Sequence, residues 1–499
     1  MRDKVLSVLL GIFLVCFAQT FAQTTSEHLS IDAHAAATPF PHFWEQMFGS
    51  GRANLVLRSH YTDDIRLVKK AADFRYVRFH GIFDDDNGVY DEDAQGNPVY
   101  NWSYVDQIYD SLLASGVRPY VELSFMPKKL ASNPAPQAFW YHPNPSPPAN
   151  YGKWDALITA FAKHLIDRYG IGEVSQWYFE VWNEPNLDFW MGKPAQSTYF
   201  ELYDHTALAL KAVSPLLRVG GPATAQAVWV GDMIAHATEN HVPLDFVSTH
   251  VYGNDSSQDV FHDSRSIEPH EMVCAAVEKV HNEIKTSARP DIPLIWSEFN
   301  ATYMNQQEIT DSIYMGPWLA ETISRCDGLV QIMSYWSFSD VFEEQGIVKT
   351  PFYGGYGIVA EDDIPKPAYN AFAALHELGD ERLPAPKNEA LVTRRADGTL
   401  VIAAWNLVEP GATAGNRMLV LDLKGIAADA RATIHRVDAE HGDTLDAWKN
   451  MGSPAWPSRA QIIELRKDAN PGVPEVQPIH DGRLTIALPP MGLAVIEIH

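Results

Sequence analysis

The stretch Trp177-Tyr178-Phe179-Glu180-Val181, running directly into Trp182-Asn183-Glu184-Pro185-Asn186, decides the fold. A short apolar run that ends on a polar cluster with proline reads as a buried strand followed by a loop. The segment before it has another period. Leu157, Ile158, Phe161, Leu165, Ile166 and Tyr169 recur at helical spacing and stop at Gly170, which predicts a helix. The same alternation extends both ways over roughly 300 residues, with a second helix through Trp102, Val105, Ile108, Tyr109 and Leu112 to Gly116. Further strands are expected near Phe43 to Phe48 and at 76–79, 119–123, 219–222, 246–249, 294–296 and 330–333. Eight strands with intervening helices predict an α/β fold, a (β/α)8 TIM barrel over residues 40–380.

Beyond the barrel the period changes. Residues 391–393, 399–405, 418–423, 432–437 and 484–488 read as short strands between turn-rich segments, so 381–499 is expected to be an accessory C-terminal β-sandwich domain. Residues 23–39 are expected to join it through Leu29 to Ile31. Residues 1–22 carry Arg2 and Lys4, an apolar run from Val5 to Phe17, and Thr20-Phe21-Ala22, the pattern of a cleaved signal peptide. That run is too short to remain as a membrane anchor, so a periplasmic or secreted chain is expected, with no membrane partner after cleavage. Cys16 would leave with the leader. Cys274 and Cys326 then either pair or stay as buried thiols.

With 63 acidic against 38 basic side chains and no Lys/Arg-rich block, the chain is a poor partner for nucleic acid. Its composition, 46% hydrophobic and 20% charged, is that of an ordinary globular protein.

A barrel carries its chemistry at the C-terminal ends of its strands. Glu184 follows the fourth strand, and Trp296-Ser297-Glu298-Phe299-Asn300 places a second glutamate after the seventh. Two carboxyl groups facing each other across one barrel mouth suit glycoside hydrolysis, one as general acid and the other as nucleophile at the anomeric carbon. His80 ends the second strand, and His250 and Tyr252 end the sixth; all three offer hydrogen bonds to sugar hydroxyls or to the carboxylates. Trp336 and Phe338, past the eighth strand, are candidates for an apolar platform, with core packing the alternative. Of Asp340, Glu343 and Glu344, which follow, Glu343 and Glu344 are candidate sugar ligands.

Other motifs fail. Asp91 to Gly96 begins like a calcium loop, but the twelfth position is Trp102, so a turn is expected. Asp84-Asp85-Asp86 reads as a solvated acid cluster, and Gly49-Ser50-Gly51 lacks the rest of a dinucleotide fingerprint. No serine elbow, zinc helix or phosphate loop is present.

The barrel resembles glycoside hydrolase family 39, the family of β-xylosidases and α-L-iduronidases. The resemblance is carried by Val77-Arg78-Phe79-His80-Gly81, Phe179 to Leu187 with its Trp-Asn-Glu-Pro core, Ser248-Thr249-His250-Val251-Tyr252, Ser297-Glu298-Phe299-Asn300, and Tyr335 to Glu344. It implies Glu184 as acid/base, Glu298 as nucleophile, Asn183 on the sugar 2-hydroxyl, and His80, His250 and Tyr252 as sugar ligands. The position two after the strand-six histidine, a lysine in the iduronidase branch, is Tyr252 here. The resemblance therefore points to bacterial β-xylosidases: a retaining exo-enzyme acting on a small carbohydrate, a xylo-oligosaccharide, with no cofactor and no metal. The alternatives are an iduronidase-like enzyme, with Lys128, Lys129 or Arg52 as the cation, an endo-acting hydrolase, or a carbohydrate-binding protein without catalysis. The proline-rich loop from Met126 to Asn150, with Phe139-Trp140-Tyr141, either walls the cleft or is a bare rim loop.

Overall fold

The computed structural model describes residues 26–135, 138–386 and 390–499, so the leader reading and Cys16 lie outside the described residues. Eight parallel strands close into a barrel: β1 (Met47–Arg52), β2 (Tyr76–His80), β3 (Arg118–Leu123), β4 (Tyr178–Val181), β5 (Arg218–Thr224), β6 (Phe246–Tyr252), β7 (Leu294–Asn300) and β8 (Ile332–Tyr335). Each pairs with the next in sequence, and β8 returns to β1 through Ser334 opposite Met47 and Tyr335 opposite Phe48. Helices cover the outside. Tyr151–Tyr169 starts where the Asn150 side chain accepts from Lys153 N, ends at Gly170 with φ 79°, and buries Trp154, Leu157, Ile158, Phe161 and Leu165. Strands enclosed on both faces need near-continuous apolar sequence, and β6 and β7 are buried at every position.

The barrel interior is layered. Met47, Tyr120, Phe246, Ile295 and Ile332 plug the N-terminal end with apolar side chains. Above them lies a buried charged layer, and above that the mouth.

Two expected strands are displaced. β1 runs through Gly49-Ser50-Gly51 and not through Phe43; the strand needs glycine there, since a Cβ at Gly49 would overlap the Trp336 ring and one at Gly51 would press on Leu55 and Phe342. β8 starts at Ile332, two residues late. The calcium-like segment is the turn of a hairpin pairing Tyr90–Glu92 with Pro98–Tyr100.

The C-terminal part is two packed sheets. A three-stranded sheet sets Glu27–Asp32 parallel to Arg417–Lys424, which pairs antiparallel with Arg483–Leu488. The facing seven-stranded sheet contains Ala390–Arg394, Leu400–Trp405, Leu493–Ile498 and Arg431–Val437. Leu400, Ile402 and Ala404 point into the sandwich, whereas Val401, Ala403 and Trp405 join the barrel's core. The unbroken apolar run Leu400–Trp405 is thus explained: this sheet is covered on both faces. Its barrel-side cover includes helix Met315–Cys326, in which every residue but Arg325 is buried. A disulfide joins Cys326 to Cys274 on helix Pro269–Thr286, with the Cα atoms 5.4 Å apart. Closing that loop of 52 residues contributes about 4 kcal/mol in the chain-entropy model. Among the described residues no helix is long and apolar enough to cross a membrane.

Candidate active site

The charged layer is organised by Arg78 of β2, a fully buried guanidinium. Its Nε donates to Glu180 (2.6 Å), Nη1 to Glu298 (2.5 Å), and Nη2 to the Asn183 side-chain carbonyl (3.0 Å) and to Glu122 (2.8 Å). A buried charge persists only when paired and hydrogen-bonded, and here every pairing also fixes a strand end. Glu122 in turn accepts from His80 Nδ1 at 2.7 Å and from Ser124. Burial alone would depress the His80 pKa; Glu122 and Glu344 outweigh it and push it up to about 10, so the ring is charged at neutral pH. Its other nitrogen lies 3.2 Å from Glu344.

Glu184 is brought to the mouth by a kinked backbone. Trp182 and Glu184 have φ of 72° and 44°, and Glu184 N donates to Ala223 O of β5 at 2.8 Å. Left-handed geometry at two non-glycine residues costs about 1–3 kcal/mol each, and it turns the carboxyl inward over the barrel axis. Carboxylate oxygens of Glu184 and Glu298 and a nitrogen of His250 lie within 4.8 Å of one another. Oxygens that close fit direct attack by one carboxylate better than the wider spacing an inverting pair needs.

The two carboxyls are not equivalent. Burial first, then the negative charge of Glu298, pushes Glu184 well above the usual carboxylate range. Burial also raises Glu298, though less than Glu184, because Arg78, His80 and the Tyr252 hydroxyl offset part of the rise. Tyr252 donates to Glu298 Oε2 at 2.6 Å while Arg78 holds Oε1, so the negative charge sits on Glu298 and the proton on Glu184. His250 is completely buried behind them, Nδ1 3.1 Å from Glu184 and Nε2 3.0 Å from Ser297. Burial, with Arg78 and His80 nearby, keeps it neutral, one nitrogen donating and the other accepting.

Above the pair opens a cavity of about 410 Å³ whose walls include His80, Asn183, Tyr252, Trp336 and Glu344. Asn183 has its carbonyl occupied by Arg78, which leaves its NH2 to donate into the cavity. Trp336 packs on His80 at 4.9 Å between ring centroids. The proline-rich loop supplies Phe139, stacked on His80 and on Phe189, and Trp140 N donates to Glu344 O at 2.8 Å, so this loop is a cavity wall.

Several sequence expectations need correction. Glu343 does not face the cavity; it accepts from Arg52 and Arg58 and is spent on holding the rim. His250 was expected among the sugar ligands; it stands behind Glu184, within hydrogen-bond distance of it, and is not among the residues that line the cavity. Of the two alternatives open for Phe338, the structure shows core packing, edge-on to Tyr61 at 4.9 Å. Asp340 is buried against Lys366 (2.5 Å), which also pairs with Asp311. Asp84 is buried, not solvated: it lies under the Gly81 turn, 3.4 Å from Phe125 N. Arg52 is committed to Glu343 and Asp86, and Lys129 to Asp91. Sequence reasoning missed Arg78, Glu122 and Glu180 as a charged layer, and Gln226, Asp255, Tyr303, Gln345 and Tyr356 as lining residues. The layer had a visible signal, charges inside otherwise apolar strands; the loop residues had none.

The model of the glycosyl hydrolases family 39 matches residues 27–485. A β-xylosidase of Geobacillus stearothermophilus is 39% identical over 470 residues, covering 91% of this chain and 92% of that protein. One from Caldicellulosiruptor saccharolyticus is 36% identical, covering 85% and 88%. The crystal structure of a monomeric β-xylosidase from Caulobacter crescentus superposes with a TM-score of 0.86 at 33% identity, covering 95% of this chain and 99% of that one.

Proposed function

The chain belongs to glycosyl hydrolase family 39, and from that premise we propose that it is a retaining exo-1,4-β-xylosidase, releasing terminal β-D-xylose from xylo-oligosaccharides. The observation that carries the reading is the carboxyl pair within 4.8 Å in a cavity whose walls carry Glu184, Asp255, Glu298 and Glu344 and, among the described residues, no lysine or arginine. A uronide carboxylate there would be desolvated beside Glu298 and Glu344, and the one cation among these wall residues, the His80 imidazolium, is already paired with Glu122 and Glu344. The Phe139 loop, docked on the Glu344 backbone, closes one end of the cavity, which favours removal of single terminal sugars.

In the first step Glu184 gives its proton to the glycosidic oxygen while Glu298 forms a covalent xylosyl ester. Arg78 and Tyr252 hold both Glu298 oxygens, so attack proceeds without reorienting the nucleophile. Once Glu298 is esterified its charge is gone, the acidity of Glu184 rises, and Glu184 acts as base on the incoming water. Asn183 donates to the 2-hydroxyl, and His80, Trp336 and Glu344 bind the remaining face of the ring. The leader-like first 22 residues and the Cys274–Cys326 disulfide support a periplasmic or secreted location.

Xylose lacks the C5 hydroxymethyl of glucose, and Trp336 with Phe139 are the bulky groups at hand to close over C5. Aryl β-xylosides are therefore expected to react at least about 100-fold more efficiently than aryl β-glucosides or α-iduronides. The purified mature chain assayed on all three tests this; a preference for the iduronide would overturn the reading.

The pH profile offers a finer test. Asp255, its own pKa pushed up to about 6 mainly by burial, lines the cavity and adds to the forces that raise Glu184, after burial and Glu298. Glu184 must be protonated to act, so activity falls as pH rises through its pKa. Removing the Asp255 charge lowers that pKa, and the alkaline limb of kcat/KM in Asp255→Asn is expected at lower pH than in the parent. A limb moved upward would contradict this electrostatic account.

A further inference from the structure

Next to the catalytic cavity lies a second, open groove of about 620 Å³, walled by Asn186, Gln226, Trp229, Gln258, His262 and Lys279 among others. The two spaces meet at Gln226, which lines both. The groove lies on the acid's side of the site: Asn186 follows Glu184 by two residues, and Gln226 and Gln258 belong to the loops after β5 and β6. His80, Trp336 and Glu344 stand on β2 and the loop after β8, across the mouth. A sugar ring held by that second set, with its glycosidic oxygen at Glu184, must direct its leaving group towards the groove.

The loop dividing the two spaces is held in an unusual backbone. Ala223, Gln226, Ala227 and Trp229 have φ of 53°, 63°, 54° and 65°, four left-handed non-glycine residues within seven positions. Side chains outside glycine adopt this conformation at a cost, and such strain persists where surrounding contacts over-determine it. Those contacts are present. Asn186 clamps Ala225 through both its amide atoms at 2.9 and 3.1 Å, Lys279 Nζ donates to Ala227 O at 2.8 Å, and Thr224 Oγ1 donates to Val228 O. The result presents the half-buried Trp229 indole to the groove beside the amides of Gln226 and Gln258, an apolar ring face edged by neutral donors and acceptors. Charges of both signs, Asp232, Asp259 and Glu283 against Lys279, stand around it, so no single ionic ligand is favoured.

We propose that this groove is the leaving-group subsite, in which the second xylose of a xylo-oligosaccharide packs on Trp229 with its hydroxyls towards Gln226 and Gln258. This rests on the β-xylosidase reading, and it makes oligosaccharides, in preference to small aryl xylosides, the ligands the site is built for. The test compares kcat/KM for xylotriose with kcat/KM for β-xylosyl fluoride, whose leaving group is too small to reach the groove, in the parent, Trp229→Ala, Trp229→Phe and the exposed-site variant Gln258→Ala. The ratio is expected to fall about 10-fold in Trp229→Ala, chiefly through KM for xylotriose, to recover to within about 3-fold of the parent in Trp229→Phe, and to fall measurably in Gln258→Ala. A ratio within about 2-fold of the parent in folded Trp229→Ala overturns the proposal; if that variant does not fold, an unchanged ratio in Gln258→Ala does so. A parent inactive on both substrates would overturn the function reading itself, which is a distinguishable failure.

Discussion

Glu298→Ala is expected to fold normally and to turn over an aryl β-xyloside at least roughly 10⁴-fold more slowly than the parent, as when a covalent nucleophile is lost. Folding survives because Arg78 is not stranded: its Nε still pairs with Glu180 and its Nη2 with Glu122 and Asn183. Tyr252 loses its acceptor, a cost of about 1–3 kcal/mol for a buried hydroxyl, which a protein of this size tolerates. Circular dichroism and a steady-state assay make the measurement. Turnover within 10-fold of the parent in a folded variant would mean that Glu298 does not attack the anomeric carbon, because the remaining groups stabilise charge and form no bond.

Glu184 and Glu298 were legible in the sequence for a physical reason. In a parallel barrel, side chains at strand C-termini meet at one mouth, so a glutamate at the end of an apolar strand, like Glu298 within β7, or just past it, like Glu184, has few other places to be. The layer beneath them was legible only in outline. Arg78, Glu122 and Glu180 interrupt apolar strands, and an interior charge demands partners, but which charge pairs with which depends on the stagger of strands far apart in sequence. Neighbouring acids look alike in sequence: Glu343 and Glu344 are adjacent, yet one is held by Arg52 and Arg58 while the other faces the cavity beside His80. Gln226 and Asp255 carried no signal, since a loop gives no period from which to read a direction. In the C-terminal part, strand Leu493–Ile498 and the helices Thr444–Asn450 and Arg459–Asp468 went unforeseen, although Asp443 and Ser458 cap those helices. The last strand, buried throughout, lacks the alternation that marks a half-exposed strand.

Removing the acid should separate the two chemical steps. Departure of a sugar alkoxide from xylobiose needs the Glu184 proton, so kcat/KM for xylobiose in Glu184→Ala is expected to fall roughly 10³-fold, the range for general acid catalysis. A 2,4-dinitrophenolate leaves without a proton, and kcat/KM for the dinitrophenyl β-xyloside should stay within about 10-fold. Its kcat should nevertheless collapse, because the xylosyl ester on Glu298 then waits for a water that no base activates. The space vacated beside His250 admits a small anion, and azide should restore turnover by attacking from the face water would have used, giving the β-xylosyl azide. The alkaline limb that Glu184 imposes on the parent, whose activity declines as pH rises through the raised pKa, should be absent from the variant with the dinitrophenyl substrate. Isolation of the α-azide instead would place the nucleophile at position 184 and reverse the two roles. An unchanged kcat/KM for xylobiose would remove Glu184 from proton transfer altogether, against its position within 4.8 Å of Glu298 and its buried, proton-retaining surroundings.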